Sequence, residues 1–170
     1  VKFAPDARCG LYFLEFGAAP RASSILYDRK GSAAAGVQLG MFDWPAILSG
    51  AKWFHVTGIT PALSVWAAEV VDEALHAAKA AGLTVSIDLN YRSKLWGRDQ
   101  AAHVMGLLLP LCDVLLASEA DAESLFGITG DDFTEVAETL VEKFGVKTVV
   151  GTRREADLVW KNRLAAVGYS

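Results

Sequence analysis

Residues 84–92 read TVSIDLNYR, and the fold is decided by how this stretch is read. Residues 84–89 are β-branched or aliphatic except at Ser86 and Asp88, the composition of a largely buried strand. The strand runs directly into polar residues, Asn90 and Arg92, with no hairpin turn between. Before it, residues 61–81 keep one helical stripe of Leu63, Trp66, Val70, Ala74, Ala77 and Ala81, and Gly82 supplies a stop. Residues 52–56 (KWFHV) form a short strand before that helix, and Asp43-Trp44-Pro45 opens another helix with Asp as cap and Pro in the first turn.

The alternation continues downstream. A helix is expected over 99–109 and a strand over 113–117, and Ser118 with Asp121 resembles a capping pair. Asp132 opens a helix that runs to Phe144, and residues 147–150 form the next strand. Residues 157–160 and 164–167 read as a closing antiparallel pair. Strands that alternate with helices need crossover connections, so the fold class is α/β with a mostly parallel sheet. The length favours a doubly wound sheet over a barrel of about eight such units. Chemistry then belongs at the strand carboxyl ends, where Thr57-Gly58, Asp88-Asn90-Arg92, Ser118-Asp121 and Thr152-Arg154 stand.

The first 36 residues differ in kind. Residues 10–16 and 23–29 are aromatic and aliphatic strands around a break at 17–20, and 31–36 (GSAAAG) is a small-residue linker. The expected organisation is a β-rich unit over 1–36 and an α/β core over 37–170.

Composition excludes several classes. The chain has 170 residues, 52% of them apolar and 21% charged, which rules out intrinsic disorder. Apolar runs such as 105–111 are too short to span a bilayer. Sixteen Lys and Arg against 20 Asp and Glu give a net charge of −4, with no basic stripe for nucleic acid. Two cysteines, Cys9 and Cys112, without a CxxC pair argue against a disulfide scaffold or zinc site, and no signal-peptide pattern opens the chain. A cytoplasmic location is the expectation.

Phosphate loops of the GxxxxGK[ST] and GxGxxG types are absent, as is a GxSxG elbow, and the three histidines are scattered. Anion-binding groups at strand ends are present instead. The guanidinium of Arg92 suits a carboxylate or phosphate, and it reads equally as a surface partner of Asp88. Tyr27 and Arg29 share one strand face, with Tyr12 in the strand before. Together they suit a sugar acid, hydroxyls to phenol and carboxylate to guanidinium, while each alone reads as a half-exposed strand residue. Ser118, Glu119 and Asp121 read also as a helix start, and Thr152 and Arg154 as a strand end.

Five blocks carry a family resemblance: GLYFLEFGAAPR (10–21), ILYDRKGSA (25–33), WFHVTGITPALS (53–64), VSIDLNYRSKLW (85–96) and DVLLASEADAESLFGI (113–128). Through these the chain resembles the ribokinase-type (PfkB) carbohydrate kinases, above all the 2-keto-3-deoxygluconate kinases. The resemblance implies a Rossmann-like ribokinase core with β-lid strands at its N-terminal end, and an ATP- and Mg²⁺-dependent kinase of a sugar acid. It implies that Tyr12, Tyr27, Arg29 and Arg92 contact the substrate, Arg92 also reaching the transferred phosphoryl group. Residues 118–121 align with the family's NxxE motif for Mg²⁺ and phosphates, Ser118 replacing Asn and Asp121 replacing Glu, so that Asp121 is the metal-side carboxylate. Thr152 and Arg154 match the family's strand end near the nucleotide. Homo-oligomers are a further expectation from the resemblance.

The family's GxGD motif, which supplies an anion hole and the catalytic-base Asp, has no counterpart in these residues, and no initiator Met opens them. The expectation is an incomplete chain with no catalytic base, inactive as written, since a general base commonly contributes about 10²–10⁴-fold. Two alternatives are a kinase of a neutral sugar such as fructose and a non-catalytic sugar-acid binding module.

Overall fold

The structure, a computed structural model, describes residues 2–18, 21–158 and 161–170, with side chains for all of these except 153–163. β1 (Leu11–Glu15) and β2 (Ser24–Asp28) form a two-stranded antiparallel ribbon in which Tyr12 faces Tyr27 and Phe13 faces Leu26. The expected linker is not featureless, because Ala33–Gly36 makes a 3-10 turn. It is tied to the core by Ser64, whose Oγ donates to the Ala35 carbonyl at 2.7 Å. α1 (Trp44–Leu48) starts as its sequence predicts, with the Asp43 carboxylate accepting from the Ala46 N–H at 3.1 Å.

β3 (Trp53–Thr57) leads into the segment expected as one helix over 61–81. That helix is two pieces, a 3-10 turn at Pro61–Leu63 and α2 (Val65–Ala80). Ser64 separates them: its backbone is extended and its hydroxyl accepts from the Ala67 N–H at 3.0 Å, a serine N-cap. The buried stripe also differs from the expected one. Ala67, Val70, Val71, Ala74, Leu75 and Ala78 face the core, whereas Trp66 is 55% exposed and Ala81 is exposed. Alanines on the inner face let the helix approach the sheet closely, and this places the tryptophan outside.

β4 (Thr84–Asp88), α3 (Arg98–Leu108), β5 (Val114–Leu116), α4 (Glu119–Phe126) and α5 (Phe133–Phe144) follow in the expected order. The strands expected at 147–150 and 157–160 are one strand, β6 (Thr148–Leu158), paired antiparallel with β7 (Lys161–Tyr169). The polar run after Gly151 hides this continuity, because strand propensity falls there while the β7 ladder still satisfies the backbone. Thr152 and Arg154 therefore sit within a strand rather than at its end, and Trp160 lies outside the described residues.

The main sheet has the order β3-β4-β5-β6-β7, parallel through β6. Val56, Ile87, Leu115 and Val149 are register partners across it, and the last three are essentially fully buried. Sequential strand order with crossovers of one hand lays α2, α3, α4 and α5 side by side on one face, each packed on the next. Two-sided winding is thus not seen among the described residues. The parallel strands end on one edge, which carries the candidate site. No helix of the described residues is long and apolar enough to cross a membrane.

Candidate active site

The edge is built from the ends of β3 and β4. The Gly58 N–H donates to the Asp88 carbonyl at 2.7 Å. A Cβ on Gly58 would stand 2.1 Å from the Leu89 carbonyl oxygen, so only glycine allows this approach. Two residues on, Asn90 adopts φ +39°, the one non-glycine residue at positive φ among the described residues. Asparagine tolerates this left-handed backbone better than most residues. Its Nδ2 donates to Thr57 Oγ1 at 2.9 Å, and its backbone N–H donates to the Asp88 carboxylate. This tight exit from β4 sends Tyr91, Arg92 and the following residues toward the β1–β2 ribbon.

A cavity of about 750 Å³ lies between loop and ribbon. Tyr27 and Arg29 line it from β2 and its end, and Arg92 from the loop. The Arg29 guanidinium rests 4.2 Å from the Tyr27 ring centroid, a cation–π contact that orients it. Arg92 makes no ion pair with Asp88, the alternative its spacing allowed; its Nη1 donates at 3.4 Å to the Tyr91 carbonyl. Tyr12 lies against Tyr27, ring centroids 6.4 Å apart, and lines an adjoining cavity of about 290 Å³ that shares Arg29 and Ile59.

Across the sheet edge, Ser118 and Thr152 line a third cavity of about 250 Å³ with Gly151 and Phe133. Gly151 is required there, since a Cβ would meet the Phe133 ring at 2.3 Å. Ser118 Oγ accepts from the Asp121 N–H at 3.0 Å and so caps α4, which realises the helix-start reading. Asp121 stands half-buried in the first turn of α4. Burial pushes its carboxyl above the ordinary value, against the Ser118 hydrogen bond and the Arg92 charge. Asp88 is raised likewise by burial and by Asp121, against the Asn90 N–H, His55 and Arg92. The Arg154 side chain lies outside the described residues.

Among the described residues no three acidic, histidine or cysteine side chains converge on one point. Mg²⁺ is commonly held by one or two carboxylates plus water and phosphate oxygens. Asp121, with Asp88 nearby, fits such a donor set. Sequence reasoning brought out Arg92 but not its neighbours in the cavity, Tyr91 and Lys94, nor Lys30 and Ile59 from other segments. Tyr91 and Lys94 stand in the same DLNYRSKLW block, and that adjacency was the available signal.

Residues 1–168 match the family model described as pfkB family carbohydrate kinase. The chain belongs to that family. A 2-dehydro-3-deoxygalactonokinase of Haloferax volcanii is 42% identical over 157 residues, covering 91% of this chain and 48% of the relative. A 2-dehydro-3-deoxygluconokinase of Thermoproteus tenax is 34% identical over 153 residues, covering 88% and 45%. The crystal structure of 2-dehydro-3-deoxygluconokinase from Thermotoga maritima aligns with a TM-score of 0.88 and 39% identity, over 94% of this chain and 50% of that one. The α/β fold with a mostly parallel sheet flanked by helices matches these PfkB structures, as the resemblance implied. The chain spans about half the length of the curated relatives it matches.

Proposed function

We propose that this chain supplies the sugar-acid side and part of the nucleotide side of an ATP-dependent kinase acting on 2-keto-3-deoxygluconate. One observation carries the reading: Tyr27, Arg29 and Arg92, from two separate segments, line one cavity that no carboxylate among the described residues lines. A guanidinium pairs two-pronged with a carboxylate, and phenols bond sugar hydroxyls. The names of the Thermoproteus tenax and Thermotoga maritima relatives support this substrate, and that of the Haloferax volcanii relative supports its galactonate epimer as the second reading.

In this reading residues 1–36 act as a lid and 37–170 as the core, with Tyr12 extending the sugar site. Lid closure excludes water, which limits wasteful hydrolysis. Ser118, Thr152 and Arg154 border the nucleotide, and Asp121 would hold a Mg²⁺ that offsets the negative charge of the ATP phosphates. The ribbon also leaves Phe13 exposed outside these cavities, which suits a homo-oligomer contact. With no GxGD in these 170 residues, the chain alone lacks a general base and does not turn over. The enzyme works in the cytoplasm, where free thiols such as Cys9 persist.

The test is ADP release with Mg-ATP and 2-keto-3-deoxygluconate, by protein from the complete reading frame. Turnover that requires the acid is the expected result. Turnover with fructose but not with the acid would overturn the carboxylate reading. Binding of the acid with no ADP release on any sugar would make the protein a binding module.

A further inference from the structure

The sugar cavity carries more positive charge than a single carboxylate can use. Besides Arg29 and Arg92 it is lined by Lys30, next to Arg29, and Lys94, two residues after Arg92. No Asp or Glu among the described residues lines it. None of the four cations is held in an ion pair among the described residues, although acids elsewhere on the chain pair with Arg8, Arg21, Lys79 and Lys147. The four form two couples on different segments, Arg29 with Lys30 at the end of β2 and Arg92 with Lys94 in the loop after β4.

Like charges gathered in a cleft with apolar walls repel one another and focus a field outward. The apolar walls here include Ile25, Ile59 and Leu95. A ligand with one carboxylate neutralises one couple and leaves the other unpaired. A ligand with two anionic groups, one at each end, neutralises both. The Arg92 couple stands in the loop that leaves β4 at the sheet edge, and the Arg29 couple stands at the end of β2 in the ribbon, so the cavity separates them.

We propose that the cavity binds the phosphorylated sugar acid more tightly than the sugar acid itself, Lys94 and Arg92 taking the phosphate while Arg29 and Lys30 take the carboxylate. The inference rests on the kinase reading above and adds two specificity-determining residues, Lys30 and Lys94, and a dianionic ligand class. The product of phosphoryl transfer then competes with its own substrate, and its release depends on opening of the ribbon.

The experiment is calorimetric titration of protein from the complete reading frame with three probes: 2-keto-3-deoxygluconate, its 6-phosphate and inorganic phosphate. The 6-phosphate is expected to bind at least about tenfold more tightly than the unphosphorylated acid. Inorganic phosphate alone is expected to bind far more weakly than the 6-phosphate. Lys94→Met should weaken binding of the 6-phosphate at least about fivefold more than that of the unphosphorylated acid, Lys94→Arg should restore it, and Lys30→Met should weaken both acids alike. Lys94 is exposed, so circular dichroism should show an unchanged fold in its variants. Equal binding of the two acids, or a preference undiminished by Lys94→Met, overturns this inference and leaves the kinase reading standing. Inorganic phosphate binding as tightly as the 6-phosphate overturns the two-anchor arrangement, and no binding of either acid overturns the inference together with the sugar-acid reading.

Discussion

Asn90 reaches across from the end of β4 to hold Thr57 at the end of β3, Nδ2 to Oγ1 at 2.9 Å, while its own backbone sits at φ +39°. The bond and the left-handed backbone act together. The turn delivers Tyr91 and Arg92 to the cavity, and the bond keeps the turn registered on the neighbouring strand. Replacing Asn90 by Ala removes the bond and leaves a side chain that disfavours positive φ, each worth about 1 kcal/mol. Replacing it by Gly removes only the bond. Asn90→Ala should therefore lose about 2 kcal/mol of unfolding free energy and Asn90→Gly about 1. Thr57→Val should cost about the same as Asn90→Gly, and the double variant Thr57→Val/Asn90→Gly no more than either. Urea unfolding of the four variants checks this, and additive losses would dissolve the coupling.

Two glycines separate steric need from mere occurrence. A methyl group on Gly58 would stand 2.1 Å from a backbone oxygen, whereas one on Gly106 in α3 would meet nothing within 4 Å. Gly58→Ala should cost roughly 1–3 kcal/mol, because backbone must move. Gly106→Ala should gain up to about 1 kcal/mol, because alanine is the better helix residue. Thermal unfolding midpoints should shift in opposite directions.

These positions also mark how far the sequence could be read. The strand at 84–89 and the caps at Asp43, Ser118 and Asp132 were legible because their signals are local: a run of β-branched residues, or one side chain three residues from the N–H it caps. Ser64 is an equally local cap, but the apolar period running through it concealed the break. The continuity of β6 was not legible, since it depends on pairing with β7, which runs from Lys161 opposite Leu158 to Tyr169 opposite Val149. Arg92 and Asp121 could be singled out by type and position. That Lys30 and Lys94 share a cavity with Arg29 and Arg92 follows from the β4 exit and the ribbon together, and no spacing in the chain encodes that.

Arg29 should set the choice between acid and neutral sugars. It lies against Tyr27 and lines both cavities beneath the ribbon. In protein from the complete reading frame, Arg29→Ala should raise KM for 2-keto-3-deoxygluconate about ten- to a hundredfold, the scale of a lost charged hydrogen-bond pair. KM for a neutral sugar such as fructose should move far less. Equal effects on both would remove the carboxylate role from Arg29, and partial rescue by Arg29→Lys would show that charge supplies part of it.

Asp113 gives the fold an acid limit that is separate from the site. It is 6% exposed, and its carboxylate accepts from the Val85 N–H at 2.9 Å and from Lys79 and Lys147 at 3.0 Å each. Burial alone would raise its pKa. The Val85 N–H and the two ammonium groups outweigh burial and bring it down from 3.8 to about 2. A carboxyl whose pKa is lower folded than unfolded adds stability while it is ionised in both states. That contribution, roughly 2 kcal/mol at neutral pH, is fully present above about pH 4 and is lost as pH falls through about 2. Asp113→Asn should remove it at neutral pH, leave Lys79 without its carboxylate partner, and flatten the acid limb of the stability profile. Urea midpoints measured from pH 2 to pH 6 should converge for the two proteins at the acid end. Profiles that stay parallel over that range would mean that the Asp113 carboxylate gains nothing from its neighbours.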